Sequence, residues 1–308
     1  MAANPSTGGH HRTSLTQPLA LADAPFVLLR DLIVQRTGVL FDDLKRSLLA
    51  DKLSSLVIEN GFSSFLDYYY LLRYDAGAET HWAQLLDKLA VPETYFWRQA
   101  EQFLSLADIV APTHAAAHPG QPLRIWSAAC CTGEEPISIA IALAEAGLLD
   151  RGKVRIRGTD ASALMIQRAR AASYGGRSFR QLPQAMRDRW FEPDGDRWRP
   201  VERIRAAVEY DVANLARAEE IASFAQVDVI FCRNVFIYFA DDAIRAVART
   251  FGENIAADGY LFLGASESLT RLGVDFELAE VGGAFAYVRT GRRSIVERLA
   301  PGVIRAKA

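Results

Sequence analysis

The chain is poor in several features that would narrow its chemistry quickly. It has three cysteines in 308 residues, Cys130, Cys131 and Cys232. Adjacent Cys130 and Cys131 cannot easily bridge each other, and nothing resembles paired zinc spacing. A reduced cytoplasmic protein without a metal site is expected. The five histidines (His10, His11, His81, His114 and His118) all precede the first strand of the apparent second domain. A histidine base or His-rich metal site is therefore not expected within that domain. Net charge is small: 35 Lys and Arg stand against 37 Asp and Glu, for −2. No basic field points to nucleic acid. No apolar run approaches the length of a transmembrane helix, so no membrane insertion is expected. Met1 to Ala20 is polar, lacks the apolar core of a signal peptide, and reads as a disordered tail over about 1–21.

What remains is an ordinary soluble globular mixture, with 50% hydrophobic and 23% charged residues, and room for one large domain or two unequal ones. From about Pro25 to Leu89 the pattern is helical. Leu48, Leu49, Leu53, Leu56 and Val57 recur at helical spacing, as do Phe65, Tyr68, Leu71 and Leu72. From Pro122 strands and helices alternate. Strands are read at Leu123–Trp126, Val154–Gly158, Val227–Cys232 and Tyr260–Gly264, with a last antiparallel one at Phe285–Val288. Helices are read at Glu134–Ala146, Ala161–Ala172 and Asp241–Ile255. That alternation predicts a doubly wound parallel α/β sheet with right-handed crossovers. Turn signals around Asp194-Gly195-Asp196, followed by the alternating Ala207-Val208-Glu209-Tyr210, suggest a small β-insertion over about 187–212.

Five stretches could carry chemistry. The apolar run Val227 to Cys232 ends abruptly in Arg233-Asn234, with aromatics following. Polar groups at the carboxyl end of a parallel strand belong in the crevice where such folds hold ligands; a capped core strand is the bland alternative. Ser127 to Pro136 links the first strand to its helix. Its small residues let backbone N–H groups approach a ligand, while Thr132 and Glu135 also fit a helix capping box. Asp160, just past the second strand, suits ribose hydroxyls or a helix N-cap. Tyr95-Phe96-Trp97-Arg98 is either an interdomain packing plug or a dry wall with an arginine able to clamp a carboxylate. Asn214 could read a ligand edge or simply form a turn.

Together these motifs resemble the CheR-type chemoreceptor methyltransferases, which esterify glutamate side chains using S-adenosylmethionine. The match runs from about Ala22 to Thr290. Thr94 to Arg98 looks like the family's T-x-F-F-R, Ser127 to Pro136 like its S-A-A-x-S-T-G-E-E-P, and Thr159-Asp160 like its ribose-binding acid. Asn214-Leu215, Phe231 to Phe239, and Gly259 to Glu267 match its N-L, F-C-R-N-V-x-I-Y-F and G-x-L-F-x-G-x-S-E. The resemblance implies an all-helical N-terminal domain (22–90), a linker and first helix (91–121), and a Rossmann-like methyltransferase domain (122–290) with a β-subdomain insertion. A tail, short helix or disordered, follows over 291–308. It further implies that Thr94, Arg98, Ala129, Glu135, Asp160, Asn214, Leu215, Arg233 and Asn234 line the cofactor site, with Arg98 and Tyr238 facing the transferring methyl. S-adenosylhomocysteine would be the product. The implied partner is the cytoplasmic helical region of a chemoreceptor-like protein, met by a monomer.

The sequence also departs from the family. Pro92 stands where some members have an asparagine that touches the cofactor, Cys131 replaces a serine, and Ile137 an aromatic. The helix Lys45 to Asn60 opens on Lys45-Arg46 but then offers only Lys52, where relatives cluster arginines against acidic receptor helices. Ile58 reads as core; an exposed Ile58 would point to a more apolar partner. The insertion lacks a glycine pair found in members that dock on a receptor tether, so no tether is expected. A runner-up function is a regulatory module that binds the cofactor or its product and scaffolds partners without turnover.

Overall fold

The computed structural model describes residues 19–149 and 152–291, and the backbone of 304–306. The helical part comprises α1 (Asp23–Thr37), α2 (Arg46–Glu59), α3 (Phe65–Tyr74) and α4 (Ala78–Leu89). Their apolar stripes meet in one core containing Phe26, Leu29, Ile33, Leu53, Val57, Phe65, Tyr68 and Leu85. Ser64 caps α3 by accepting from the Asp67 N–H, as a serine ahead of a helix should. Two expectations are corrected here. Leu48, which shares the helical spacing, and Ile58, read as core, lie outside the core, 45% and 39% exposed. Leu21, expected in the tail, is buried in this core, and the Leu19 N–H donates to Ser54 Oγ.

The α/β part begins with α5 (Ala100–Ser105) and α6 (Ala111–Ala117), joined by a wider π turn, Leu106–Val110. It continues through β1 (Leu123–Ala128), α7 (Glu134–Glu145), β2 (Val154–Asp160), α8 (Ala163–Ala171), α9 (Gln184–Trp190), β3 (Phe191–Asp194) and β4 (Arg197–Pro200). Then come α10 (Glu202–Arg205), β5 (Val208–Val212), α11 (Ala218–Ile221), β6 (Val229–Cys232), α12 (Asp241–Asn254), β7 (Tyr260–Leu263), β8 (Phe276–Val281), β9 (Ala284–Arg289) and β10 (Ile304–Ala306). The main sheet runs β10-β8-β9-β7-β6-β1-β2-β5. Strands β5, β2, β1, β6 and β7 are parallel, while β9, β8 and β10 are antiparallel.

Side chains of the central strands alternate between two cores, as strand geometry requires. Val229 and Phe231 of β6 enter one; Ile230 and Cys232 enter the other. From β1 the chain moves outward to β2 and β5, then returns to the opposite side of β1 as β6. Strand order thus reverses between β1 and β6, and ligands of open α/β sheets bind at the carboxyl ends of such strands.

Three sequence expectations are revised. The insertion is the hairpin β3–β4 alone, paired from Phe191↔Pro200 to Asp194↔Arg197. The alternating stretch at Ala207 to Tyr210 instead belongs to the main sheet, as β5 beside β2. Strand β8 was not read from the sequence, and it is the partner that lets β9 lie antiparallel to β7. Within the expected tail, Ile304–Ala306 adds an edge strand to β8; residues 1–18 and 292–303 lie outside the described residues.

The helical part roofs the switch point. Leu40 N donates to Tyr238 O (2.8 Å), and Ala240 N to Gly38 O (2.9 Å). The Asp87 carboxylate on α4 accepts from Ser162 Oγ (2.5 Å) and Leu164 N (3.2 Å) at the start of α8.

Candidate active site

A cavity of about 310 Å³ lies under this roof, at the carboxyl ends of β1, β2 and β6. Its lining includes every sequence-predicted site residue: Thr94, Arg98, Ala129, Glu135, Asp160, Asn214, Leu215, Arg233, Asn234 and Tyr238. The helical part adds Thr37, Val39, Leu40, Phe41 and Leu48, which the sequence had not marked as site residues.

Backbone conformation sets this region apart. Trp97, Gln99, Ala129, Cys131 and Asn234 have φ of 67°, 56°, 59°, 52° and 58°. Non-glycine residues in the left-handed region cost on the order of 1–3 kcal/mol each, and persist where the surroundings over-determine them. Four of the five belong to the loops after β1 and before α5, and the fifth follows β6. Ala129, Cys131 and Asn234 line the cavity, and the N–H groups of Trp97, Cys131 and Asn234 are held by Ser138, Asp160 and Glu267.

Asp160 closes β2. Its carboxylate accepts from Cys131 N (3.0 Å) and Ser162 N (2.9 Å). Burial pushes its pKa up, against the pull of those two N–H groups. The N-cap reading goes to Ser162 instead, whose side chain accepts from Met165 N. The capping box at Thr132 and Glu135 is likewise not formed. Gly133 caps α7 with φ 93° and no side-chain bond, and Thr132 donates to Glu134 (2.6 Å). Glu135 accepts from Ser127 Oγ (2.7 Å) and pairs with Arg233 at 3.3 Å. Burial raises the Glu135 pKa, and Arg233 works against that rise.

Arg233 is 6% exposed. Its guanidinium donates to the Arg98 carbonyl and to Gln99 Oε1, and lies 5.0 Å from the Phe103 ring centre. It therefore braces the left-handed stretch before α5. Burial pulls its pKa below the ordinary value, partly offset by Glu135. Asn214 is similarly occupied: Nδ2 donates to Arg36 O (2.8 Å) and Oδ1 accepts from Ala216 N (3.0 Å). The turn reading accounts for the bond from Ala216, and the bond to Arg36 ties β5's loop to α1.

The aromatic stretch divides between the core and the cavity. Phe96 is fully buried against Tyr174, Phe179 and Phe191, a packing plug. Tyr95 lines the cavity, with Arg180 stacked 3.7 Å from its ring centre and Arg98 at 5.3 Å. Among the described residues, Arg98 itself donates to the Glu93 carbonyl (3.0 Å). Sequence reasoning also missed Glu267, which shapes the site: its carboxylate accepts from the N–H groups of Asn234, Val235, Phe236 and Gly264. The signal was present: an acid just beyond a parallel strand, in the closing S-E pair.

The CheR methyltransferase, SAM binding domain, matches residues 92–283, and the CheR methyltransferase, all-alpha domain, matches 24–90. The chain belongs to the CheR methyltransferase family. It is 32% identical over 273 residues to chemotaxis protein methyltransferase 2 of Vibrio cholerae serotype O1, covering 88% of this chain and 94% of that one. It is 31% identical to chemotaxis protein methyltransferase 1 of Pseudomonas aeruginosa (87% and 99% covered) and 32% identical to the Escherichia coli K12 enzyme (86% and 91%).

As a CheR family member the protein is an S-adenosylmethionine-dependent methyltransferase. The cavity suits that cofactor on its own terms. Its volume lies at the lower end of the ~300–1,000 Å³ of small-molecule sites. It also has an acid at the end of β2 and left-handed turns over β1. Among the described residues no helix is long and apolar enough to cross a membrane, and no cluster could hold a metal ion.

Proposed function

We propose that this protein transfers the methyl group of S-adenosylmethionine to glutamate side chains of a chemoreceptor-like protein, making methyl esters during bacterial chemotactic adaptation. It would act as a monomer in the cytoplasm, on the receptor's cytoplasmic helical region. The names of its relatives, chemotaxis protein methyltransferases, support this reading and disfavour a regulator without turnover.

One observation carries the choice of acceptor: Arg98 and Tyr238 line a cavity to which, among the described residues, no histidine contributes. A glutamate carboxylate titrates near pH 4.3, so it is ionised at neutral pH and needs no base. When bound, S-adenosylmethionine supplies a methyl carried on a positively charged sulfur. Thr94, Ala129, Glu135, Asp160, Asn214, Leu215, Arg233 and Asn234 would hold the cofactor, with Asp160 accepting from the ribose hydroxyls. Arg98, which among the described residues donates to a carbonyl of its own loop, would orient the incoming carboxylate, and the Tyr238 hydroxyl can do the same. The charges of the two reactants diminish as they combine, so exclusion of water by the helical roof favours the reaction, provided they are held in line.

The test uses the purified protein, methyl-labelled S-adenosylmethionine and membranes from the source bacterium, with mild base applied to the product. Volatile label released by base marks a carboxyl ester. Label that stays on protein means N- or S-methylation, and the glutamate assignment falls. No label in either fraction favours the regulator.

A further inference from the structure

The outward stripe of α2 is apolar where a partner of many acids would need cations. Leu44, on the turn Asp43–Lys45 leading into the helix, is 93% exposed, Leu48 is 45% and Ile58 is 39% exposed. With Asp51 and Ser55, also exposed, they follow one another at three or four residues, the spacing of a single helix face. That stripe carries an acid and no cation.

The nearby cations are engaged within the chain. Lys45 pairs with Asp42 at 3.4 Å, and Arg46 pairs with Asp23 while stacking on Phe26. Lys52 donates to the Lys88 carbonyl at 3.1 Å, and the Lys88 ammonium, reaching the stripe from α4, donates to Ser55 Oγ at 3.1 Å. The stripe is continuous with the cavity. Leu40, Leu48, Val91, Ile237 and Tyr238 both line it and stand among the protein's exposed large apolar side chains. Lys45 and Lys52 line the cavity among them, and exposed apolar side chains rimmed by polar ones mark where a partner is received.

We propose that α2 and this collar receive a substrate segment whose acceptor glutamate is flanked, one helical turn to either side, by apolar side chains rather than by further acids. The inference rests on glutamate methylation as the reaction. It assigns Leu44 and Leu48 as residues that select the substrate through burial, so selection is insensitive to salt.

Two series of helical peptides with one acceptor glutamate test it, one flanked by leucine or alanine and one by aspartate or glutamate. With the full-length protein, base-labile label should favour the apolar series about tenfold in kcat/KM, chiefly through KM, the equivalent of about 1.4 kcal/mol. A tenfold rise in salt should leave the ratio unchanged. Leu44→Glu should erase it while leaving the dissociation constant for S-adenosylmethionine, read by calorimetry, as it was. Preference for the acidic series, loss of the ratio in salt, or an unchanged ratio in Leu44→Glu overturns the collar. So does the absence of label from both series when membranes of the source bacterium, assayed in parallel, take up base-labile label; absence from peptides and membranes alike sinks turnover itself. Base-stable label on the peptides is a separate outcome, which sinks glutamate methylation itself.

Discussion

The carboxylate of Glu267 accepts from the backbone N–H of Asn234 at 2.7 Å, bridging the end of β7 to the left-handed residue that follows β6. The same carboxylate takes Val235 N (2.9 Å), Phe236 N (2.7 Å) and Gly264 N (2.7 Å). One side chain therefore satisfies four backbone donors and fixes the loop that carries Asn234 and Tyr238 into the cavity. Glu267→Ala would leave these donors unmet, at a net cost of about 1–3 kcal/mol for each that water cannot reach. The variant should lose about 3 kcal/mol or more in urea denaturation, and should bind S-adenosylmethionine at least tenfold more weakly. Unchanged stability would mean that water replaces the carboxylate without consequence.

A second prediction concerns the joint between the helical part and the site. Gly38 has φ 77°, and a Cβ there would lie 2.7 Å from the Phe239 ring. Gly61 has a similar φ of 83° with nothing within 4 Å. Gly61→Ala should cost only backbone strain, about 1 kcal/mol. Gly38→Ala should add a steric penalty of about 1–3 kcal/mol, and should lower turnover because Leu40 is hydrogen-bonded to Tyr238 O beside it. Thermal melts of the two variants, compared directly, check the difference.

Much of this arrangement was legible in the sequence, for identifiable reasons. Strands β6 and β7 are short, fully buried apolar runs, the pattern a central parallel strand requires, while β1 and β2 set arginines among their apolar residues. The residues at their carboxyl ends share a cavity because strand order reverses there. What stayed hidden depended on pairing partners far away in sequence. Val208–Val212 reads equally well as part of a hairpin or as the edge of the main sheet, and only its register with Ile156 to Asp160 distinguishes them. Glu135 fits a capping box by spacing, but the buried Arg233, remote in sequence, takes it instead. Leu48 has the spacing of a core leucine, and its exposure depends on where the cavity opens.

The cysteines give a chemical prediction. Cys130 and Cys232 are buried, and burial pushes both thiols well above their ordinary pKa. Cys131 lines the cavity, yet burial and the nearby Asp160 push it up to about 12. An acid with a raised pKa stays protonated, and the thiolate is the reactive form. At pH 8 the native protein should therefore resist alkylation by iodoacetamide at all three positions, and should take up three equivalents once unfolded in guanidinium. Rapid native labelling of Cys131, mapped by mass spectrometry, would contradict the assigned environment.

The last prediction follows from the raised pKa of Asp160. Its ionised form is the one able to accept from ribose hydroxyls while still holding Cys131 N and Ser162 N. Cofactor affinity should be full above its pKa in the free protein and should decline as pH falls through it. Because burial raises that pKa, the decline should begin above the ~3.9 of a free aspartate. For stability the sign is opposite. An acid whose folded-state pKa is raised stabilises the fold below the unfolded value, and that contribution is lost as pH rises through the folded one. Asp160→Asn should weaken S-adenosylmethionine binding by about tenfold or more at pH 7, the equivalent of one charge-assisted hydrogen bond, and should flatten its dependence on pH. Burial also raises Glu135, so Glu135→Gln is the control: the acid limb should survive in it and vanish in Asp160→Asn. Titration calorimetry across pH 4–8 reads both variants, and an acid limb that persists in Asp160→Asn assigns the titration, and the ribose contact, elsewhere.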